Sequence, residues 1–476
     1  MNSTTQNLIN KVNEKLRVKP LIYFCKDGER ATGLEDYLFN YHVACYDDNY
    51  LTRMLAQKAD VYCEQVHNPT GKVMSTLEFL SSAQLLNWVK NITKDQEFYA
   101  QFFQFNSPSA IKINNLKGQI LNNDVSLNRK FEDKLSQYQF LQLNGIPTPK
   151  TTIGNISDYS YHDLISEVGP EFVVQLDRAH TGLGTFFVRN DNEFEVIQRN
   201  LAGNIVKISR LIKGVPYTVN GCVTKKGVFV VGLQYQITGI TDLAHGEGST
   251  VGNDFSYANE LDPRIKSYIH NMVKVVGELM AKNGYRGLFG LDLILEQNVN
   301  PLLIEINARQ TANISLQTRL ELKAGITPLA LLHLCEFLDI EIEENPTTEL
   351  LPLEGSQVFL RAKQDNFIVN HNLKSGIYRL QSDNAAIDWN SLQLKDGVIL
   401  IDEEGDKPLV WQKDGYRISD IENNTGGFVL LVQSKGSVKN KADELARMQF
   451  NNRIINPTGI SPWIVEAFNS IENIIK

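Results

Sequence analysis

The chain has 476 residues, 42% of them hydrophobic and 21% charged, with a formal net charge of −8. Such length and composition predict a globular protein of several domains, and the acidic balance excludes a general nucleic-acid binder, which carries a basic excess. No run of about 18 apolar residues appears, so no membrane span is expected. The opening segment MNSTTQNLINKVNEKLRVKP is polar and lacks the apolar centre of a secretory signal. Five scattered cysteines with no CxxC pair fit free thiols in a reducing cytoplasm, and eight histidines show neither HxH nor HExxH spacing, so no zinc site is expected.

In chain order, residues up to about Ser126 begin with a short polar helix and the strand-like PLIYFC, and later segments such as TLEFLSSAQLLNWVKNI place apolar residues at helical spacing. A mixed α/β domain follows for this part. A helix is predicted from roughly Arg129 to Leu143, ended by Asn144-Gly145, with Pro147 and Pro149 forcing an extended entry into the next strand. Short elements then alternate to about Arg210: the helix YHDLISEV, the strand FVVQL, a glycine loop, the strand TFFVR, a helix around FEVIQRN and the strand IVKIS. Two further strands, PYTVNGCVT and GVFVVGLQYQIT, meet at Lys225-Lys226-Gly227. Asp262 and Pro263 open a helix that buries Ile265, Ile269, Met272, Val276 and Met280 and stops at Asn283-Gly284. From about Leu351 the strands VFLRA, GVILID and GFVLLV dominate until a last helix near WIVEAFNSIENII, which predicts a separate β-rich domain.

Between these parts lies LFGLDLILEQNVNPLLIEINAR, Leu288 to Arg309, two apolar runs interrupted by Asp292, Glu305 and Asn307. FGLDLILEQ and PLLIEINAR read as paired strands. Side chains alternate along a strand, so Glu305 and Asn307 share one face, with Asp292 across from them if the pairing is in register. Two carboxylates and an amide oxygen suit magnesium held together with substrate phosphates. Arg309, two positions on, carries a fork able to hold a phosphate or a developing anion. Spacing alone leaves a metal site, an ion pair and a solvated edge all open.

A second feature is QLDRAHTGLGTFFV, Gln175 to Val188, where Gly182 and Gly184 lie between two strands and backbone amides can approach phosphates. It fits neither the Walker loop nor GxGxxG opening a helix. His245 and Glu247 in AHGEGS are candidates for substrate contact, whereas His333 in ALLHLCEFL reads as a packed helix residue. Lys225-Lys226 and Lys435, Lys439 and Lys441 read as turn and solvated loop charges.

Taken in order, DKLSQYQFLQLNGIPTPK, FVVQLDRAHTGLGTFFV, ISRLIKGVPYTV, GLFGLDLIL and LLIEINAR resemble the ATP-grasp family of ADP-forming ligases, over roughly Asn128 to Asp339. The resemblance implies an α/β (α+β) ATP-grasp architecture: an α/β N-terminal domain over 1–125, a linker helix and lid subdomain over 126–210, a catalytic subdomain over 211–346 and a β-rich C-terminal domain over 347–476. It assigns Asp292, Glu305 and Asn307 to magnesium (or manganese) and Arg309 to the acyl-phosphate and tetrahedral intermediate. Lys134 would reach nucleotide phosphate, Thr181, Gly182 and Gly184 would form the lid loop, and the backbone of Leu211 and Ile212 would read adenine. The sequence departs from the pattern where Gln175 replaces the usual phosphate-binding lysine, with Arg178 or Lys207 as candidate substitutes. Ser209 and Pro216 stand where the hinge usually has glutamates.

The activity implied is ATP-dependent activation of a carboxylate, an amino acid or related acid, as an acyl-phosphate, followed by attack of an amine. The partners implied are ATP and small-molecule substrates, with a carrier protein and a homodimer both admitted and with neither nucleic acid nor membrane. Two alternatives stand beside it: loading of an amino acid onto a carrier-protein thiol, and an ATP-binding sensor or scaffold without catalysis, which Gln175 would favour.

Overall fold

A computed structural model describes residues 1–69, 73–178, 183–296, 300–380, 393–395, 399–401, 409–422 and 426–476. The N-terminal part carries a parallel sheet of five strands in the order Asp60–Cys63, Tyr41–Asp47, Leu21–Asp27, Phe98–Phe102, Gly118–Ile120. Its strands are nearly continuous apolar runs, as a sheet covered on both faces requires. Strand order reverses between Leu21–Asp27 and Phe98–Phe102, and a crevice outside the carboxyl ends of parallel strands at such a point is where α/β folds bind ligands. Here that point receives the segment after the hairpin singled out above: Tyr23 donates to Gln310 Oε1 at 2.8 Å, and Arg30 Nη1 donates to the Ala312 carbonyl at 2.5 Å. Gln310 also donates to the Arg30 carbonyl at 2.9 Å.

The expected linker helix is two helices, Val125–Glu132 and Lys134–Leu143, broken at Asp133, whose ψ of 125° is extended. The apolar spacing runs through the break, so the cause is tertiary. The first N–H groups of a helix need outside acceptors. Asp177, at the end of a lid strand, supplies them: its carbonyl accepts from the Lys134 N–H at 3.2 Å and its carboxylate from the Leu135 N–H at 3.1 Å. The break therefore ties the lid to the start of the Lys134 helix.

The segment expected to form the lid is an antiparallel sheet of four strands, ordered Thr151–Asn155, Ile205–Arg210, Phe172–Leu176, Thr185–Val188. Helices Tyr161–Glu167 and Asp191–Asn200 pack on it through Leu164, Phe194 and Ile197, with Phe172, Val174, Val206 and Ile208 beneath. The helix Pro263–Lys282 starts at Asp262 as expected, the Asp262 carboxylate accepting from the Arg264 N–H, and it buries Ile269, Met272, Val276 and Met280.

The strands of the β-rich tail join the rest of the fold. Among the described residues its strands continue the central sheet, which has twelve strands in all, because Thr250–Asp254 pairs with Ser356–Arg361. An unpaired strand edge is a liability, and pairing across this boundary removes it. Lys439, read from sequence as a solvated charge, is buried and ion-paired with Asp47 at 2.5 Å, which pins the tail to the N-terminal sheet. His333 is packed as expected: Nδ1 accepts from the Leu288 N–H at 3.2 Å, and burial lowers the imidazole to about 4.

Candidate functional site

The hairpin Gly287–Glu296 and Leu302–Asn307 forms in the register that the alternation required, with Asp292 directly opposite Glu305 and Gly290 opposite Asn307. The connecting residues 297–299 lie outside the described ones. Leu291, Leu293, Leu303 and Ile306 turn into the core behind the polar face. Gly290 is required by close approach, since a Cβ there would lie 2.5 Å from Thr311 Cγ2.

On the polar face Asp292 accepts from Thr218 at 2.7 Å and from the Asn307 amide at 3.0 Å. Burial first, and then the facing Glu305 carboxylate, push Asp292 up to about 6. Two carboxylates held face to face in a half-buried site call for a cation. Among the described residues no group of three or more His, Cys, Asp or Glu converges to hold one. The donor set is instead two carboxylates and an amide oxygen, which fits magnesium completed by phosphate oxygens or water.

Arg309 leaves the same strand end. Its Nε donates to Glu132 at 2.5 Å, its Nη2 donates to Asn307 Oδ1 at 3.1 Å, and its guanidinium lies 5.6 Å from the Phe103 ring. Glu132, in the linker, escaped the sequence reading, since nothing in NRKFEDKL marks it as the partner of an arginine 177 residues away. Behind this strand end a buried amide network fixes the chain. Asn220 donates to Asn313 at 2.9 Å and to Gln317 at 2.7 Å, Thr311 donates to Asn220 at 2.8 Å, and Asn313 donates to Gln234 at 2.6 Å.

Facing the hairpin, Lys134 at the first turn of its helix donates to Glu305 Oε1 at 3.1 Å. Gln175 is buried on the lid strand and donates to Thr185 at 3.4 Å. Its direct partner across the lid sheet is Lys207. Of the two candidate substitutes for the missing lysine, Arg178 pairs with Asp133 at 2.8 Å on the linker. Lys207 instead lines the central cavity and is only 6% exposed, with Nζ donating to the Ile304 carbonyl at 3.4 Å. Burial lowers its ammonium to about 8, against the pull of Glu305.

One cavity of about 490 Å³ joins these groups; Lys134, Gln175, Lys207, Asp292, Glu305, Asn307 and Arg309 all line it, as do Leu211 and Ile212. The Leu211 N–H is already held by the Glu171 carbonyl at 2.9 Å. Gly184 closes the described end of the glycine loop by accepting from the Leu176 N–H at 3.0 Å, whereas Thr181 and Gly182 lie outside the described residues. Glu247 reaches the cavity and pairs with Arg189, while His245 is not among its described lining residues.

Fold and site together define a mixed α/β protein with a crevice between two antiparallel sheets, Asp292 and Glu305 on the central sheet facing Lys207 on the four-stranded sheet. Residues 131–313 match the ATP-grasp domain. A curated relative, the [butirosin acyl-carrier protein]–L-glutamate ligase of Niallia circulans, is 24% identical over 196 residues, 40% of this chain and 45% of that protein. The match thus spans less than half the relative's length. Among solved structures, the L-amino acid ligase from Bacillus licheniformis is 12% identical with a TM-score of 0.51, covering 96% of this chain and 98% of the other. The biotin carboxylase domain of Hydrogenobacter thermophilus 2-oxoglutarate carboxylase, with bound MgADP, is 12% identical with a TM-score of 0.55, covering 95% and 89%. At these identities the likeness is one of fold.

Proposed function

We propose that the protein is an ATP- and magnesium-dependent ligase that activates a carboxylate, an amino acid or related acid, as an acyl-phosphate and joins it to an amine, releasing ADP and phosphate. The observation that carries this reading is the directly opposed pair Asp292 and Glu305, sharing one cavity with two lysines and Arg309. The acid's oxygen attacks the γ-phosphorus, the bond to the β-phosphate oxygen breaks, and ADP leaves. The amine nitrogen then attacks the acyl carbon, phosphate departs with the electrons of the C–O bond, and the nitrogen gives up a proton.

Lys134 and Lys207 would hold phosphate oxygens, with Gln175 adding an uncharged hydrogen bond. Asp292, Glu305 and Asn307 would hold Mg²⁺, which when bound offsets charge on the transferring phosphoryl group. Arg309 would meet the oxyanion of the tetrahedral intermediate. The loop containing Thr181, Gly182 and Gly184 would close over the phosphates and exclude water, and Leu211 and Ile212 would flank adenine. The division at 125, 210 and 346 belongs to the same proposal, as does a cytoplasmic location, supported by five buried free cysteines. No helix of the described residues is long and apolar enough to cross a membrane.

Arg309→Lys, which cannot keep Glu132 and Asn307 on one planar fork, is expected to lower kcat by about 10²-fold. Nucleotide affinity should change less than about threefold, as read by kcat against the Kd for a non-hydrolysable nucleotide. The reaction itself is tested by measuring product release with magnesium-ATP over acids crossed with amines. ADP and phosphate should appear only when a correct pair is present; AMP and pyrophosphate would overturn the proposal. A second reading, transfer of the acyl group to a carrier-protein thiol, is favoured by the curated relative named for a carrier protein. A mass shift on a phosphopantetheine-bearing carrier domain would distinguish it.

A further inference from the structure

Part of the cavity wall is not used by the chemistry above. Four carboxamides stand in one row across four adjacent strands: Gln236 opposite Asn253, Asn253 opposite Gln357, and Gln357 opposite Gln449. Directly opposed side chains share a face. The row thus runs from the cavity, lined by Gln236 and Asn253, to a buried interior where Gln357 Nε2 has no partner among the described residues. Phe359 and Arg361 follow Gln357 at alternate positions of the same strand and also line the cavity.

Arg361 is 8% exposed. Its Nε donates to the Thr250 carbonyl at 2.8 Å, its Nη1 donates to the Ala442 carbonyl at 3.1 Å, and its guanidinium lies 5.2 Å from the Phe359 ring. These contacts aim the fork and neutralise none of its charge. The acids nearby are taken by other cations: Arg447 pairs with Glu29 at 2.5 Å and Glu444 at 2.7 Å, Arg30 pairs with the same two, and Asp443 pairs with Lys26 at 2.6 Å. Among the described residues no carboxylate lies within ion-pair distance of Arg361. A buried guanidinium on a cavity wall, fixed in place and unneutralised, is stabilised by an anionic guest.

We propose that Arg361 receives a carboxylate that the reaction does not consume, and that Asn253 and Gln236 bind the polar remainder of the same molecule through amide donors and acceptors. The ligand class is a small amino acid. That this carboxylate is left unreacted rests on the ligase reading. The carboxylate can come from either substrate: a second carboxylate on the activated acid, or the carboxylate of the amine acceptor.

Calorimetry on the full chain saturated with magnesium and a non-hydrolysable ATP analogue tests this, with L-glutamate against its two monoamides and L-alanine against L-alaninamide. A free carboxylate probe should bind about 10- to 100-fold more tightly than its amide. Arg361→Gln should bring the free acid down to the level of the amide, leave the amide unchanged, and leave analogue affinity within about twofold. Arg361→Lys, which keeps charge without the fork, should fall between and carries the test if the glutamine variant does not fold. Preference for glutamate alone assigns the carboxylate to the activated acid; preference for alanine over alaninamide assigns it to the acceptor. Equal binding of acid and amide, an Arg361→Gln variant that binds acids like wild type, or binding of no probe would overturn the subsite. Absence of ADP release with every pair, the probe pattern being intact, would overturn the ligase reading and leave the subsite standing.

Discussion

Glu305→Ala is expected to abolish ADP formation, lowering kcat by about 10³-fold or more, in a phosphate-release assay at saturating magnesium-ATP. Glu305 faces Asp292 in the hairpin register and accepts from Lys134 at 3.1 Å, so in the proposed site it would serve both the cation and the lysine. Its removal halves the carboxylate charge facing the cation. It also lets Asp292 fall back from about 6 toward the ordinary carboxylate range, because one cause of its elevation is gone. The magnesium concentration for half-maximal nucleotide binding should therefore rise even where nucleotide still binds. Glu305→Gln keeps the shape and should lose nearly as much, which separates charge from packing. A variant retaining a tenth of the wild-type rate would remove this hairpin from the centre of the chemistry.

Lys207→Met should weaken binding of a non-hydrolysable ATP analogue by about 10- to 100-fold, as read by calorimetry. Replacing a buried cation by an apolar chain of similar length is often neutral or stabilising, so the melting temperature should hold or rise. Loss of binding together with a sound fold identifies Lys207 as a phosphate ligand. Because Lys207 and Gln175 are direct partners across the lid sheet, Gln175→Lys added to Lys207→Met should restore most of the affinity from the neighbouring strand. Unchanged binding by Lys207→Met would leave Lys134 as the phosphate lysine.

The register of the polar hairpin was legible because its information is local: polar residues at alternate positions among leucines and isoleucines dictate a shared face, and the observed register pairs Asp292 with Glu305. Lys207 was legible only as a candidate, since its place beside Gln175 depends on an antiparallel register that neither strand encodes alone. The break at Asp133 was hidden because the apolar spacing continues through it and its cause, Asp177, lies on another sheet. Nothing local in VFLRA marks Arg361 as a cavity residue. Only the pairing of strands about a hundred residues apart in sequence sets it beside Thr250 and completes the amide row. What the sequence stated poorly was register between distant strands, and much of the cavity wall is built from it.

Continuity of the central sheet has a consequence for how the molecule can be taken apart. The strand Thr250–Asp254 is flanked by Gly227–Thr238 on one side and by Ser356–Arg361 on the other. A chain ending near residue 346 would leave a row of bare N–H and C=O groups along an interior strand, ready to template intermolecular pairing. Cutting there would also remove Lys439 from Asp47, a buried carboxylate that would be left without its cation. The tail thus completes the floor of the crevice, and the grasp domain and tail are expected to melt as one cooperative unit.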